Sequence, residues 1–170
     1  MQRSAAAVGS SIFMALAPGT VAGLVPWLLT GWHGNGWWPP ARVIGGALVL
    51  GGGVVLVQAF ASFVVEGIGT PAPIAPTKHL VVGGLYRYVR NPMYLAVVSV
   101  ILGQALIFGR LVLVLYAVVV AALMWAFATW YEEPALTRQF GEEYQQYRKA
   151  VPGWWPRLRP WTAADPQAPG

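Results

Sequence analysis

Residues 92–131 read PMYLAVVSVILGQALIFGRLVLVLYAVVVAALMWAFATWY and carry one formal charge, Arg110, in forty positions. About 20 apolar residues in a helix cross the hydrocarbon core of a bilayer, which is about 30 Å thick. The stretch therefore predicts a hairpin of two apolar helices, Tyr94–Phe108 and Leu111–Tyr131, joined by a tight turn at Gly109-Arg110. The first helix is short, so we expect it to tilt or to cross the bilayer only in part.

Two further apolar stretches precede this hairpin. Val43–Val65 is a second predicted span, and its many glycines favour close helix packing in lipid. Ala5–Leu29 is also long enough to span, and it is interrupted by residues that predict a kink: Pro18, Gly19 and Pro26. The small residues at 15–17 resemble a signal-peptide cleavage site, but the apolar run continues beyond them, which favours a retained helix. The predicted fold is an all-α, multi-pass transmembrane bundle of about four spans.

The composition supports a membrane protein. Hydrophobic residues make up 56% of the 170 positions and charged residues 10%, whereas a typical soluble domain is about 25% charged. The net charge of +5 is spread over few charged groups, which suits anionic lipid headgroups and disfavours nucleic acid. With no Cys and two His, thiol catalysis is excluded and a zinc site is disfavoured. We expect one domain, 1–161, followed by a disordered tail, 162–170.

The basic residues predict the topology. If the N-terminus, the 66–92 loop and the tail after Tyr131 share one side, that side carries nine of the 11 basic residues, and Arg42 and Arg110 lie on the other. The positive-inside rule makes the nine-residue side cytoplasmic, in a bacterial-type inner or plasma membrane. All six acidic residues fall on that side as well, so polar chemistry is expected there.

The tail after the hairpin predicts a surface element. Its apolar residues recur at helical spacing, as expected of an amphipathic helix in the membrane interface: Leu136, Phe140, Tyr144 and Tyr147. Beyond it, aromatic residues beside Arg157 and Arg159 are typical of interfacial anchors: Trp154, Trp155 and Trp161.

Two polar clusters form the candidate site. The end of the 66–92 loop concentrates Arg, Tyr, Asn and His beside the bilayer, and Glu132-Glu133 lies at the same predicted depth. Adjacent carboxylates at a membrane interface favour a cationic partner, which Arg90 or a cationic ligand can provide. The alternatives are that the arginines only anchor the loop and that the glutamates only end a span. Polar residues inside the spans are interpreted as interhelical hydrogen-bond formers: Gln58, Ser62, Glu66 and Gln104.

Both clusters belong to motifs that resemble a known family. The first is Leu80-Val81-x-x-Gly84-x-Tyr86-x-x-x-Arg90-Asn91-Pro92-x-Tyr94. The second is Glu132-Glu133-x-x-Leu136-x-x-x-Phe140-Gly141-x-Glu143-Tyr144-x-x-Tyr147-x-x-x-Val151-Pro152. Together, in this order and separated by one hairpin, they resemble the isoprenylcysteine carboxyl methyltransferase and phospholipid methyltransferase group. The resemblance covers residues 66–156.

The resemblance implies an enzyme that uses S-adenosylmethionine (SAM) to methylate a lipophilic, membrane-associated acceptor. Carried over by position, it implies three catalytic residues: Arg90, Glu132 and Glu133. It implies cofactor contacts from a larger set: Lys78, His79, Leu80, Val81, Tyr86, Arg90, Asn91, Pro92, Met93, Tyr94 and Glu132. A Glu suits the cationic groups of SAM, an Arg its carboxylate, and Tyr rings its adenine or sulfonium.

The chain departs from the eukaryotic prenylcysteine enzymes at three positions. Asn91 stands where they have His, Lys78 stands where they have another His, and Ala128 replaces the Arg that meets the substrate carboxylate. The acceptor therefore stays open between a prenylcysteine-type carboxylate, a phospholipid amine and another apolar metabolite. An NADPH-dependent membrane reductase of related fold and a non-catalytic membrane partner are the other hypotheses.

Overall fold

The computed structural model describes residues 16–35, 38–62, 65 and 79–162, and within these ranges the fold is helical without strands. The helices in chain order are α1 Leu16–Thr30, α2 Pro39–Ser62, α3 Pro92–Phe108, α4 Leu111–Phe127, α5 Glu133–Phe140 and α6 Glu142–Ala150. The all-α prediction is confirmed for this part of the chain. Predictions about residues 1–15, Lys78, Glu66 and the 163–170 tail fall outside the described residues.

Helices α2 and α3 pack so closely that their backbones touch. A Cβ atom built on Gly45 would lie 2.5 Å from the carbonyl oxygen of Gly103, and one on Gly103 would lie 2.6 Å from that of Gly45. Further along, a Cβ on Gly52 would lie 2.9 Å from the carbonyl oxygen of Ala96. The contacts run in opposite directions along the two helices, so α2 and α3 are antiparallel. Glycine is required on this face because no side chain fits.

At the position of the predicted kink, α1 contains a π-helical turn. Residues Thr20–Leu24 form a π-helical turn just before Pro26. Proline has no N–H to bond the carbonyl four residues earlier, and that carbonyl, of Ala22, instead accepts a hydrogen bond of 2.7 Å from Gln104 Nε2. The interhelical hydrogen bond predicted for Gln104 is thereby confirmed, and it attaches α1 to α3.

The turn between α3 and α4 is stabilised by hydrogen bonds to the segment that follows α1. Gly109 has a φ of 64°, the left-handed conformation that glycine adopts most easily. The backbone N–H of Asn35 donates to the carbonyl of Phe108 at 3.1 Å, and Arg110 Nε donates to the carbonyl of His33 at 3.1 Å. The segment after α1 therefore closes this end of the hairpin, far from the predicted site.

The helices expose an apolar surface of the kind expected in a membrane protein. Helix α2, with 24 residues, and the continuous helix Leu111–Phe140, with 30, are long and apolar enough to cross a bilayer. Only 22% of the most apolar window is buried in each, whereas a core helix of a soluble protein would be mostly buried. The described parts of α1 and α3 are shorter; the 17 residues of α3 reach about 25 Å. Of the four predicted spans, two therefore correspond to helices that are long and apolar enough to cross a bilayer within the described residues.

The amphipathic tail is not one continuous helix. Gly141, with a φ of 56° and a ψ of −126°, separates α5 from α6, because this backbone conformation cannot continue a helix. The predicted apolar stripe nevertheless stays together: Leu136 and Phe140 pack against Tyr144 and Tyr147. The cluster also includes Leu80, Val82 and Val151. The apolar stripe of the tail thus packs against the 79–91 segment, through Leu80 and Val82.

Candidate functional site

The segment before α3 is hydrogen-bonded to α6 and to the chain that follows α6. The Tyr147 hydroxyl donates to the carbonyl of Tyr86 at 2.6 Å, and Arg87 Nε donates to the carbonyl of Trp161 at 2.8 Å. Backbone hydrogen bonds join the two segments at four more places: Arg90 N to Pro152 O, Asn91 N to Gly153 O, Arg157 N to Tyr88 O, and Trp161 N to Arg87 O. The described end of the predicted loop, residues 79–91, is therefore joined to the tail in one structural unit.

Arg90 meets the twin carboxylates through Glu133. Arg90 Nη1 lies 2.7 Å from Glu133 Oε1, and the two side chains are only 14% and 13% exposed. The same Nη1 donates to the Tyr144 hydroxyl at 3.1 Å, and Nε donates to the carbonyl of Val151 at 2.9 Å. The other oxygen of Glu133 lies 2.8 Å from Arg148 Nη2. Both oxygens of Glu133 are thus engaged by arginines, which suits a residue that holds the site together.

Glu132 has a different environment from its neighbour. Its carboxylate accepts a hydrogen bond from the Tyr94 hydroxyl, and the Tyr94 ring stacks on Trp154 with the centroids 6.2 Å apart. Neither of the ion pairs in the described part of the chain involves Glu132. A partly buried carboxylate with a stacked tyrosine beside it is a favourable place for a bound cation.

A π-helical turn sets the positions of the two glutamates. Residues Ala128–Glu132 form this turn between α4 and α5, and the sequence analysis did not predict it. Pro134 was the available signal, since a proline inside a helix disrupts the bonding of the preceding turn. Such turns occur frequently at functional sites. Ala128, at the start of the turn, is 2% exposed.

An amide donor of the site has no partner. Asn91 Nδ2 is buried, and it makes no hydrogen bond within the described residues. A Cβ built on Gly153 would lie 3.4 Å from Asn91 Nδ2 and 3.2 Å from Arg90 Nη2, so the two donors lie against the same glycine. A buried donor without an acceptor costs about 1–3 kcal/mol. The pair is therefore suited to an anionic or carbonyl group of a ligand.

Four of the remaining predicted cofactor residues lie in two packed clusters. Val81, Tyr86 and Met93 pack with Ala59 of α2, and Leu80 packs against the tail cluster that contains Tyr144. Pro92 is buried at the start of α3, and His79 is exposed. Of the remaining set, Lys78 lies outside the described residues.

The polar residues predicted on α2, Gln58 and Ser62, are separate from the carboxylates of Glu132 and Glu133. The Ser62 hydroxyl donates to the carbonyl of Gln58 in its own helix at 3.3 Å, so this contact is not the predicted interhelical bond. Both residues line a shallow depression together with Ala61, Gly84, Leu85, Arg87 and Tyr88. Its lining contains none of the three residues predicted to be catalytic.

The fold and the site together define a helical membrane protein with a polar site at one end of its hairpin. Residues 40–143 match the phospholipid methyltransferase family, and the chain belongs to that family. This confirms the family resemblance of the two motifs.

The chain is also similar to a curated protein, the Protein-S-isoprenylcysteine O-methyltransferase of Schizosaccharomyces pombe. The two are 37% identical over 76 residues, which cover 43% of this chain and 31% of the relative. The chain thus matches about a third of the length of that relative. No solved structure matches the chain significantly.

Proposed function

We propose that the protein transfers a methyl group from SAM to a lipophilic acceptor at the membrane surface. The observation that carries the proposal is the Glu132 carboxylate, hydrogen-bonded by Tyr94 and paired with no cation in the described residues. Membership of the phospholipid methyltransferase family supports the same reaction. A reductase or a purely structural protein has no comparable support.

The residues present fit the functional groups of SAM. The partly buried Glu132 and the Tyr94–Trp154 stack suit the cationic end of the cofactor. The unpartnered Asn91 amide and the adjacent Nη2 of Arg90 suit its carboxylate. When bound, SAM supplies an electrophilic methyl group. The other predicted contacts, including Lys78 and His79, stay predictions that follow from the family.

Methyl transfer is an in-line displacement, so the protein contributes mainly by positioning and electrostatics. Arg90, fixed by Glu133, Tyr144 and Val151, gives the site a rigid edge. Glu132 is the group left to face the cofactor. We assign Glu133 a positioning role because both of its oxygens are bound by arginines.

The acceptor would enter from the lipid. Exposed aromatic residues precede the glutamates on α4 and on the π-helical turn that follows it, and two pairs of them are in ring contact: Trp125 with Trp130 and Phe127 with Tyr131. Aromatic belts of this kind mark the membrane interface. The site is thus proposed to lie at headgroup depth, on the cytoplasmic side that the basic residues predict.

The leading acceptor is a prenylcysteine-type carboxylate, after the relative from S. pombe. A phospholipid amine is the second candidate, and Ala128 favours it. The resemblance implies an Arg at this position in enzymes that bind a substrate carboxylate, whereas this chain has a buried alanine in the π-helical turn. Such a site has one cation fewer with which to hold an anionic acceptor.

Radiolabelled methyl transfer from SAM into a membrane lipid extract tests the proposal. The wild-type protein should label one lipid class, and Glu132→Gln should lose SAM binding at least about tenfold, because a charge-assisted contact of about 1.5–3 kcal/mol is removed. Glu142→Gln is the matched control, since Glu142 is exposed on α6. Binding of NADPH without binding of SAM by the wild type would overturn the proposal.

A further inference from the structure

Three consecutive residues of the tail touch three residues of the proposed cofactor site. The carbonyl of Pro152 accepts from the backbone N–H of Arg90 at 3.0 Å, and that of Gly153 accepts from Asn91 at 3.3 Å. The next residue, Trp154, stacks on Tyr94 with an angle of 20° between the rings. Residues 152–154 thus contact an arginine, an amide and a phenol that lie on a different part of the chain.

We propose that this segment, Pro152–Trp154, positions the cofactor site, and that Trp154 is its principal positioning residue. A ring stack is worth about 0.5–1.5 kcal/mol beyond the area that it buries. Stacking on Trp154 fixes the Tyr94 ring, and the fixed ring directs its hydroxyl to Glu132. The inference rests on the proposed function, since the carboxylate is the group expected to meet the cation of SAM.

The neighbouring tryptophan shows that the contact is specific. Trp155 follows directly in sequence and is 80% exposed, whereas Trp154 is partly buried against Tyr94. The two residues share composition and position in the chain, and only one of them reaches the site. A role in anchoring the tail to the membrane would not distinguish Trp154 from Trp155 in this way.

Gly153 contributes to the site because, without a side chain, it leaves space for the side chains of Arg90 and Asn91. A side chain there would press on the Arg90 guanidinium at 3.2 Å and on the Asn91 amide at 3.4 Å. Gly153 does not have a positive φ, so its backbone conformation is open to alanine. Gly153→Ala therefore tests whether displacing the two donors by a few tenths of an ångström weakens cofactor binding.

SAM affinity in purified protein tests the proposal with a matched set of variants. Trp154→Leu should raise the Kd and the KM for SAM about three- to tenfold, with a smaller change in kcat and an unchanged helical spectrum. Trp154→Phe should restore most of the affinity, because a ring remains to stack on Tyr94. Trp155→Leu should bind SAM as the wild type does.

A spectroscopic signal provides a readout independent of activity. In protein labelled with 5-fluorotryptophan, the ¹⁹F resonance that is missing from Trp154→Phe belongs to Trp154, and it should shift when SAM is added. The Trp155 resonance, assigned in the same way from Trp155→Phe, should stay in place.

The outcomes separate the two proposals. If the wild type binds no SAM, the proposed function is wrong. If the wild type binds SAM and both Trp154→Leu and Gly153→Ala bind it equally well, the function stands and the positioning role is wrong. Should Trp154→Leu fail to fold, Gly153→Ala and the Trp154 resonance decide: unchanged affinity together with an unshifted resonance would overturn the inference.

Discussion

Glu132 and Glu133 are neighbours in sequence with opposite surroundings. Glu133 is bound by Arg90 and Arg148, whereas Glu132 accepts from Tyr94 and has no cationic partner among the described residues. Successive residues in a helix point in directions about 100° apart, so adjacency does not give two side chains the same role. One carboxylate joins the loop and the tail, and the other is the one proposed to meet the ligand.

Removal of the Glu133 carboxylate should destabilise the protein. Glu133→Ala leaves Arg90 largely buried without its partner, and hydrogen bonds to charged groups are worth about 1.5–3 kcal/mol. We expect a decrease of about that size in the free energy of unfolding, measured by denaturant titration in detergent. Arg148→Ala should cost less than about 1 kcal/mol, because Arg148 is 52% exposed and its pair is accessible to water. Equal decreases in the free energy of unfolding for the two variants would contradict the positioning role assigned to Glu133.

At the scale of the helices, the glycines of α2 fall into two groups. Gly45 and Gly52 face α3 at distances that exclude a Cβ atom. A Cβ on the others would meet nothing within 4 Å: Gly46, Gly51 and Gly53. Lipid provides no hydrophobic drive between helices, so close backbone packing holds such pairs together. The first group therefore fixes the distance between the two helices.

Alanine substitutions in α2 should separate the two groups. Gly45→Ala should destabilise the bundle by several kcal/mol, because its Cβ would collide with the backbone of Gly103 rather than with a flexible side chain. Gly46→Ala and Gly51→Ala should be neutral or stabilise by up to about 1 kcal/mol, since alanine is the better helix former. Thermal unfolding in one detergent measures all three variants. A stable Gly45→Ala protein would show that α2 and α3 do not pack in this way.

At the scale of the whole molecule, polar groups are concentrated at one end of the α3–α4 hairpin. The hydrogen bonds between the loop and the tail lie at the start of α3. Those of His33 and Asn35 lie at the other end of α3. Seven basic residues of the described chain belong to the loop, to the tail or to the helices α5 and α6 at this end: Arg87, Arg90, Arg138, Arg148, Lys149, Arg157 and Arg159. Arg42 and Arg110 lie toward the opposite end, which is the asymmetry expected from the positive-inside rule.

Single cysteines test this topology directly, since the chain has no Cys of its own. His33→Cys and Gln146→Cys place thiols at exposed positions toward the two ends of the molecule. With a membrane-impermeant maleimide on intact cells, we expect labelling of His33→Cys and labelling of Gln146→Cys only after permeabilisation. The reverse pattern would place the site on the outer side. Labelling of both from outside would mean that the hairpin does not span.

The sequence alone determined the properties that depend on local order. The apolar lengths predicted the helices of a membrane protein, the prolines indicated an irregular turn in α1, and the two motifs identified the family. Each of these follows from a run or a spacing within one segment, so no knowledge of distant contacts is needed. The tail stripe was found for the same reason, although Gly141 divides the helix that was expected to carry it.

Only the tertiary structure decided which of these residues meet. Sequence spacing could not tell which glutamate Arg90 binds, which glycines face α3, or that Trp154 rather than Trp155 reaches Tyr94. These contacts join positions 43 to 60 residues apart. Each depends on the rotation of a helix about its axis or on the path of the segment that follows α6. Such angles result from the packing of the whole bundle and of its π-helical turns, and no local pattern encodes them.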